Sequence, residues 1–90
     1  MIRLRFEITG HVQGVFFRKY TVEKAQELNL TGWVCNTVRG SVIGEVQGSA
    51  AIVSVFTDWC KTGSPLSQVE HVHITHIPPV AGETGFVIQR

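Results

Sequence analysis

The sequence predicts a single domain of the α+β class, in which two helices pack on one face of an antiparallel sheet. Three observations predict it. Apolar and charged or polar residues alternate from Ile2 to Thr9, which is typical of a strand with one buried and one solvated face. Segments 17–28 and 50–62 each repeat apolar residues at helical spacing. The chain has 90 residues, 43% of them hydrophobic and 17% charged, which is enough for one core but not for two.

Helical spacing predicts where the two helices begin and end. The first helix is expected from Phe17 to Leu28, and Asn29 can end it because asparagine tolerates the left-handed conformation. The second helix is expected from Ala50 to Thr62, where Gly63-Ser64-Pro65 stops it. The first helix should bury Phe17, Thr21, Ala25 and Leu28, joined by Val22. The second should bury Ile52, Val55, Phe56, Trp59 and Cys60.

Four further strands complete the order β-α-β-β-α-β plus a short last strand. Arg39-Gly40 is a tight turn between the second and third strands, which therefore form a hairpin. Pro78-Pro79 breaks the fourth strand. This order matches the ferredoxin-like, or split βαβ, arrangement, which places both helices on one face of the sheet. The four strands are expected at Gly32–Val38, Val42–Val46, Val69–Ile77 and Gly85–Gln89.

Composition argues against several classes of protein. The formal net charge of +1 is far from the strong basic excess of a dedicated nucleic-acid binder. No apolar run approaches the roughly 18 residues of a membrane span, and the first segment lacks the apolar block of a signal peptide, so we expect a cytosolic protein. Cys35 and Cys60 are expected to be free thiols on opposite sides of the sheet, although Cys35 could form an intermolecular bridge or act as a redox-sensitive thiol.

The loop from Gly10 to Arg18 has the features of an anion-binding site. Its glycines, Gly10 and Gly14, permit positive φ and close approach of another group. The loop enters a helix N-terminus, where unpaired N–H groups and the helix dipole favour negative charge. A bound phosphate would offset the unfavourable position of Arg18 in the first helical turn. Spacing alone leaves an ordinary turn with a surface arginine equally open.

Two stretches of the sequence resemble the signatures of the acylphosphatase family. The first is Ile8-Thr9-Gly10-His11-Val12-Gln13-Gly14-Val15-Phe16-Phe17-Arg18, with every constrained position filled. The second is Gly32-Trp33-Val34-Cys35-Asn36, followed by Gly40, Val42 and Gly48, and the ending Gly85 to Arg90 is also similar. The resemblance therefore covers essentially the whole chain, and the family's fold is the ferredoxin-like one. Cys35 differs from the residues that family members more often have at this position. Its side chain should point to the other face of the sheet, so we expect the activity to survive.

The resemblance implies a hydrolase of acyl phosphates that needs neither a metal nor another cofactor. Implied substrates include 1,3-bisphosphoglycerate, carbamoyl phosphate and succinyl phosphate, with inorganic phosphate or sulfate as a product-like ligand and with no nucleic acid or membrane as partner. The implied catalytic residues are Arg18, which binds the phosphoryl oxygens, and Asn36, which orients the attacking water. The implied phosphate-binding residues are Gln13, Gly14, Val15, Phe16, Phe17 and Arg18. We expect the protein to be a monomer.

Strand parity indicates where Asn36 points. Val34 and Asn36 share one strand face, and Trp33, Cys35 and Thr37 share the other. If Val34 faces the helices, Asn36 does too, towards Arg18, although a bulge would break this relation. Without the resemblance, Asn36 would be interpreted as a polar residue at a strand end.

Other noticeable residues are expected to be structural. His71 and His73 share a strand face beside buried Val72 and Ile74, but two ligands without a third are a weak indication of a metal site. Lys19 and Arg39 could raise the local potential, yet such residues are more often solvated charges. The aromatic residues expected to pack are Phe16, Phe17, Trp33, Phe56 and Trp59.

Two other functions remain open from the sequence. A phosphate- or anion-binding module without catalysis could use the same scaffold, and turnover would distinguish the enzyme from it. A single-stranded RNA binder could use a similar sheet to present aromatic residues to bases. This chain lacks such an aromatic motif, because the expected exposed positions of its first strand are Arg3, Arg5, Glu7 and Thr9.

Overall fold

The computed structural model describes residues 1–89 and confirms the predicted order of elements. The five strands form one sheet in the order β4-β1-β3-β2-β5. Neighbouring strands are antiparallel except that β5 runs parallel to β2, so the short last strand makes the sheet mixed. The elements are β1 (Ile2–His11), α1 (Phe17–Glu27), β2 (Thr31–Asn36), β3 (Val42–Gly48), α2 (Ala50–Thr62), β4 (Gln68–Ile77) and β5 (Phe86–Ile88).

Helix α1 begins at the predicted residue and ends one residue early. Leu28 is its C-cap, and Asn29 has a φ of 56°, which confirms the left-handed stop. Phe17, Thr21 and Ala25 are buried as predicted, whereas Val22 and Leu28 are half-buried against the core. Because the buried residues recur every four positions, one apolar stripe fixes how α1 lies on the sheet.

Helix α2 has the predicted ends, but the predicted buried face is partly wrong. Ile52 and Val55 are exposed, whereas Val53, Phe56 and Cys60 are fully buried. The first two turns of α2 are apolar nearly all the way round, so helical spacing alone does not select among overlapping stripes. The packing partners select the stripe, since Phe56 packs against Phe6 and Phe86 of the sheet.

Aromatic side chains form the centre of the core between the helices and the sheet. Phe56 lies 5.6 Å from Phe6 of β1 and 5.9 Å from Phe86 of β5, measured between ring centroids. Phe17 of α1 lies 5.7 Å from Trp59 of α2. These edge-on and tilted pairs stabilise the core beyond the area that they bury. They also anchor β5, a strand of only three residues.

The face of the sheet away from the helices is partly covered, which makes the expected exposure of Arg3 wrong. Only 3% of Arg3 is accessible, because the segment 78–85 folds over it. Its guanidinium donates to both carboxylate oxygens of Glu83, at 2.8 and 3.1 Å, and to Glu45 at 2.8 Å. These bonds raise the pKa of Arg3, and the bond from Arg3 lowers the pKa of Glu83. The side chain of Gln47 bonds both the N–H and the carbonyl of Val80, so the segment is fixed at two points.

The edge strand β4 is more solvated than predicted. Val72 is half-buried and Ile74 is exposed, because β4 has a neighbour on one side only. Its pairing with β1 shifts register between Thr9 and Gly10. Gly10 has a φ of 122°, and a Cβ there would collide with the carbonyl oxygen of Gln68. Glycine is therefore required where β1 turns into the loop that leads to α1.

Candidate active site

The loop between β1 and α1 presents free N–H groups at the start of the helix. Gly14 and Phe16 have φ angles of 76° and 59°. Phe16 is the N-cap of α1, but no side chain caps this end and the first turn contains no acidic residue. The N–H of Tyr20 donates to the carbonyl of Phe16 at 3.1 Å, which is the first bond of the helix. The amides before Tyr20 in that turn therefore lack helical acceptors and are available to an anion.

A cavity of about 260 Å³ opens at this helix start and contains both residues predicted to be catalytic. Arg18 reaches it from the first turn of α1, and Asn36 reaches it from the last position of β2. Ile88 of β5 forms another part of the wall. The full lining is Val12, Gly14, Phe16, Phe17, Arg18, Lys19, Asn36 and Ile88.

The side chain of Asn36 points to the helix face, as strand parity predicts. Val34 on the same face is fully buried, while Trp33 on the other face lies beneath the guanidinium of Arg5, 6.0 Å from the ring centroid. Asn36 Oδ1 is enclosed and has no hydrogen-bond partner within residues 1–89. Burying an amide oxygen without a partner is unfavourable, and no structural hydrogen bond within the described chain explains this position of Asn36.

The side chain of Gln13 joins the loop to the hairpin that carries Asn36. Its Nε2 atom donates to the carbonyl of Thr37 at 2.8 Å and to the carbonyl of Ser41 at 2.9 Å. Both amide hydrogens are thus used, one on each end of the turn between β2 and β3. The loop is held a second time where Ser64 Oγ donates to the carbonyl of Val15 at 2.9 Å.

Four of the six residues predicted to bind phosphate line the cavity: Gly14, Phe16, Phe17 and Arg18. Gln13 and Val15 are not among its lining residues; the Gln13 side chain and the Val15 carbonyl form hydrogen bonds that hold the loop. The resemblance points to this loop, but it gives no sign of the long-range bonds that fix it.

Two more residues of the cavity are singled out in the sequence. Lys19 is exposed, as expected of a solvated charge, and it also lines the cavity beside Arg18. Neither cation forms an ion pair within the described residues, so both contribute positive potential to the cavity. Phe16 does not pack in the core: 67% of it is exposed, and its backbone is left-handed. Arg39 is exposed, with its guanidinium 3.9 Å from Glu7.

Other candidate sites in the sequence gain little support. The rings of His71 and His73 lie 5.8 Å apart, and no group of three His, Cys, Asp or Glu side chains in residues 1–89 could hold a metal ion. Cys35 is half-buried and Cys60 is fully buried, and neither forms a disulfide in the described chain. Burial raises the pKa of the Cys60 thiol. Neither described helix has both the length and the apolar character to cross a membrane.

Comparison with known proteins gives one consistent result. The acylphosphatase family profile matches residues 4–88. Acylphosphatase-1 of Gallus gallus is 42% identical over 93 aligned positions, which cover all of this chain and 94% of the relative. An acylphosphatase of Rubrobacter xylanophilus is 39% identical, with 97% of this chain and 79% of the relative covered. The crystal structure of acylphosphatase from Bacillus subtilis superposes with a TM-score of 0.96 at 32% identity, covering all of both chains. The end of the chain that resembles the family includes Arg90, which lies outside the described residues.

Proposed function

Because the chain belongs to the acylphosphatase family and is a hydrolase acting on acyl phosphates, we propose that this hydrolysis takes place in the cavity at the start of α1. One observation supports this location most strongly. Arg18, Lys19, the uncapped start of α1 and the side chain of Asn36 line the same cavity, although α1 and β2 are separate elements.

The phosphoryl group is held by Arg18 and by backbone amides of the loop. The planar guanidinium can donate two parallel hydrogen bonds to phosphoryl oxygens. The amides at the start of α1 add donors, and the helix dipole adds partial positive charge. The reaction passes through a state in which negative charge is spread over the three equatorial oxygens, so donors fixed in advance lower its energy.

Asn36 orients the attacking water. An amide does not take up a proton near neutral pH, so Asn36 acts on the water only through hydrogen bonds. The water oxygen forms a bond to phosphorus, and the bond between phosphorus and the anhydride oxygen breaks. The electron pair of that bond leaves with the carboxylate, and a proton of the water passes to a phosphate oxygen. The products are one carboxylate and one inorganic phosphate, without any redox change.

The reaction as proposed needs no metal ion. A carboxylate is a good leaving group, so a strong general acid is not required. The positive charge that a metal ion would bring to the phosphoryl oxygens is supplied by Arg18 and Lys19. Acyl phosphates such as 1,3-bisphosphoglycerate, carbamoyl phosphate and succinyl phosphate share the group that these donors hold, and we propose them as substrates. The cytosolic location, the monomeric state and the lack of nucleic-acid partners stay predictions.

The experiment is hydrolysis of benzoyl phosphate in H₂¹⁸O with EDTA present. The proposal predicts turnover that EDTA does not inhibit, with the heavy oxygen in phosphate and not in benzoate. Arg18→Ala should abolish turnover, and Arg39→Ala is the matched control, since Arg39 is exposed and does not line the cavity. Label in benzoate would contradict attack at phosphorus. Turnover that persists in Arg18→Ala would contradict the location, and no turnover by the folded wild-type protein would favour an anion-binding module.

A further inference from the structure

Phe16 combines two features that are unfavourable for a phenylalanine. Its φ of 59° is in the left-handed region, where a residue with a Cβ is strained. Its ring is also 67% exposed, so it gains little from burial. Glycine would avoid both costs at this position. Strain of this kind persists where the position has a use, and Phe16 lies on the wall of the cavity.

The cavity wall has a polar and an apolar part. The donors and charges belong to Arg18, Lys19 and Asn36, and the rest of the side-chain wall is hydrocarbon. Within that apolar part Val12 and Phe17 are buried and already belong to the core. Ile88 also packs against the core. Phe16 is the apolar wall residue whose ring remains largely free to meet a ligand.

An acyl phosphate has the same division into two parts. Its phosphoryl group takes the donors, and its acyl group continues beyond the anhydride oxygen. An acyl group that is aromatic or a long hydrocarbon gains free energy by covering an apolar surface, and an aromatic ring gains more by stacking on another ring. An acetyl group is too small to gain much from the same contact.

We propose that Phe16 is a specificity-determining residue whose exposed ring is the contact surface for the acyl group, so that aromatic acyl phosphates are preferred to acetyl phosphate. This inference rests on the proposed function of the cavity. It assigns the ring to the acyl group and leaves the phosphoryl group to the donors of the loop.

The test compares kcat/KM for benzoyl phosphate with kcat/KM for acetyl phosphate. Phe16→Ala should lower this ratio about three- to tenfold, because hydrolysis of benzoyl phosphate falls and that of acetyl phosphate does not. A tenfold change corresponds to about 1.4 kcal/mol. Phe16→Tyr should keep the ratio within about twofold, because it retains a ring of the same shape. Leu66→Ala is the matched control, since Leu66 is 70% exposed and does not line the cavity.

Phe16→Gly separates the ring from the backbone conformation. Glycine adopts the left-handed conformation without strain, so this variant should be folded and yet show the same fall in the ratio. A wild-type ratio in the alanine or glycine variant would overturn the inference. An equal loss on both substrates would also overturn it, because Phe16 would then act only by shaping the loop. No turnover of either substrate by folded wild-type protein would overturn the proposed function, and this inference with it.

Discussion

Replacing Gln13 by alanine tests whether its side chain holds the two halves of the site together. The substitution removes the two hydrogen bonds from Nε2 to the carbonyls of Thr37 and Ser41, which measure 2.8 and 2.9 Å. At about 1 kcal/mol net for each bond, the free energy of unfolding should fall by about 2 kcal/mol. For a domain of this size, this lowers the melting temperature by about 10 °C. Urea unfolding followed by circular dichroism measures the change.

The same substitution should lower the rate of turnover. The hairpin turn held by Gln13 begins directly after Asn36, so losing the bonds loosens Asn36 relative to Arg18. Small displacements of a positioning group are costly, and we expect kcat for benzoyl phosphate to fall at least about tenfold. Gln26→Ala is the control, because Gln26 is an exposed glutamine on α1 outside the site.

Gln13→Glu sharpens the test. An ionised carboxylate cannot donate to the two carbonyls, so this variant should be less stable than Gln13→Ala at neutral pH. Protonation at acidic pH restores one donor, so the difference between the two variants should shrink there. A stability within about 0.5 kcal/mol of wild type for Gln13→Ala, together with unchanged kcat, would refute the reasoning.

Three further predictions concern stability and are measured by urea unfolding. Gly10→Ala should lower the free energy of unfolding by more than about 3 kcal/mol, because the new Cβ collides with backbone atoms. Gly14→Ala should lower it by about 1 kcal/mol, because only the positive φ is unfavourable there. Equal losses of stability would contradict this. Val53→Ala should lower the free energy of unfolding by about 2.5 kcal/mol, and Ile52→Ala by less than about 1 kcal/mol, because Val53 is buried and the larger Ile52 is exposed. The reverse order would place the buried face of α2 elsewhere. Folding lowers the pKa of Glu83 below its ordinary value of 4.5. The ionised carboxylate therefore stabilises the folded state fully at pH values above 4.5, and this stabilisation is lost as the pH falls through the lowered pKa. Glu83→Gln should therefore be less stable than wild type at pH 7, and a gap that does not narrow below pH 4 would count against the ion pair.

The sequence predicts those parts of the fold that depend on local periodicity and on breaking residues. The alternation in β1, the helical spacing of both helices and the breaks at Asn29, Gly40, Gly63 and Pro78 predict the element order that the structure has. Periodicity fails where apolar residues surround a helix, so the buried side of α2 is decided by partners that are distant in sequence. The burial of Arg3 could not be predicted from local patterns, because it depends on an ion pair with Glu83, which lies 80 residues further along the chain.

The residues of the site also divide into those that the sequence could indicate and those that it could not. Arg18 and Asn36 could be named from the resemblance, and strand parity placed Asn36 on the correct face. The bonds of Gln13 link positions 24 and 28 residues apart, and no local pattern indicates them. The exposed ring of Phe16 goes with a left-handed backbone, which the residue type itself disfavours and the sequence therefore does not indicate.

The most direct test of the central claim separates holding the phosphate from positioning the water. It measures kcat for benzoyl phosphate and the inhibition constant of inorganic phosphate in wild type, Arg18→Ala and Asn36→Ala. The account predicts that Asn36→Ala loses turnover while its phosphate inhibition constant stays within about threefold of wild type, a difference below about 1 kcal/mol. Arg18→Ala should lose both, because the guanidinium holds the phosphoryl group. Near wild-type turnover in Asn36→Ala, or unchanged phosphate inhibition in Arg18→Ala, would contradict the assignment of these two roles.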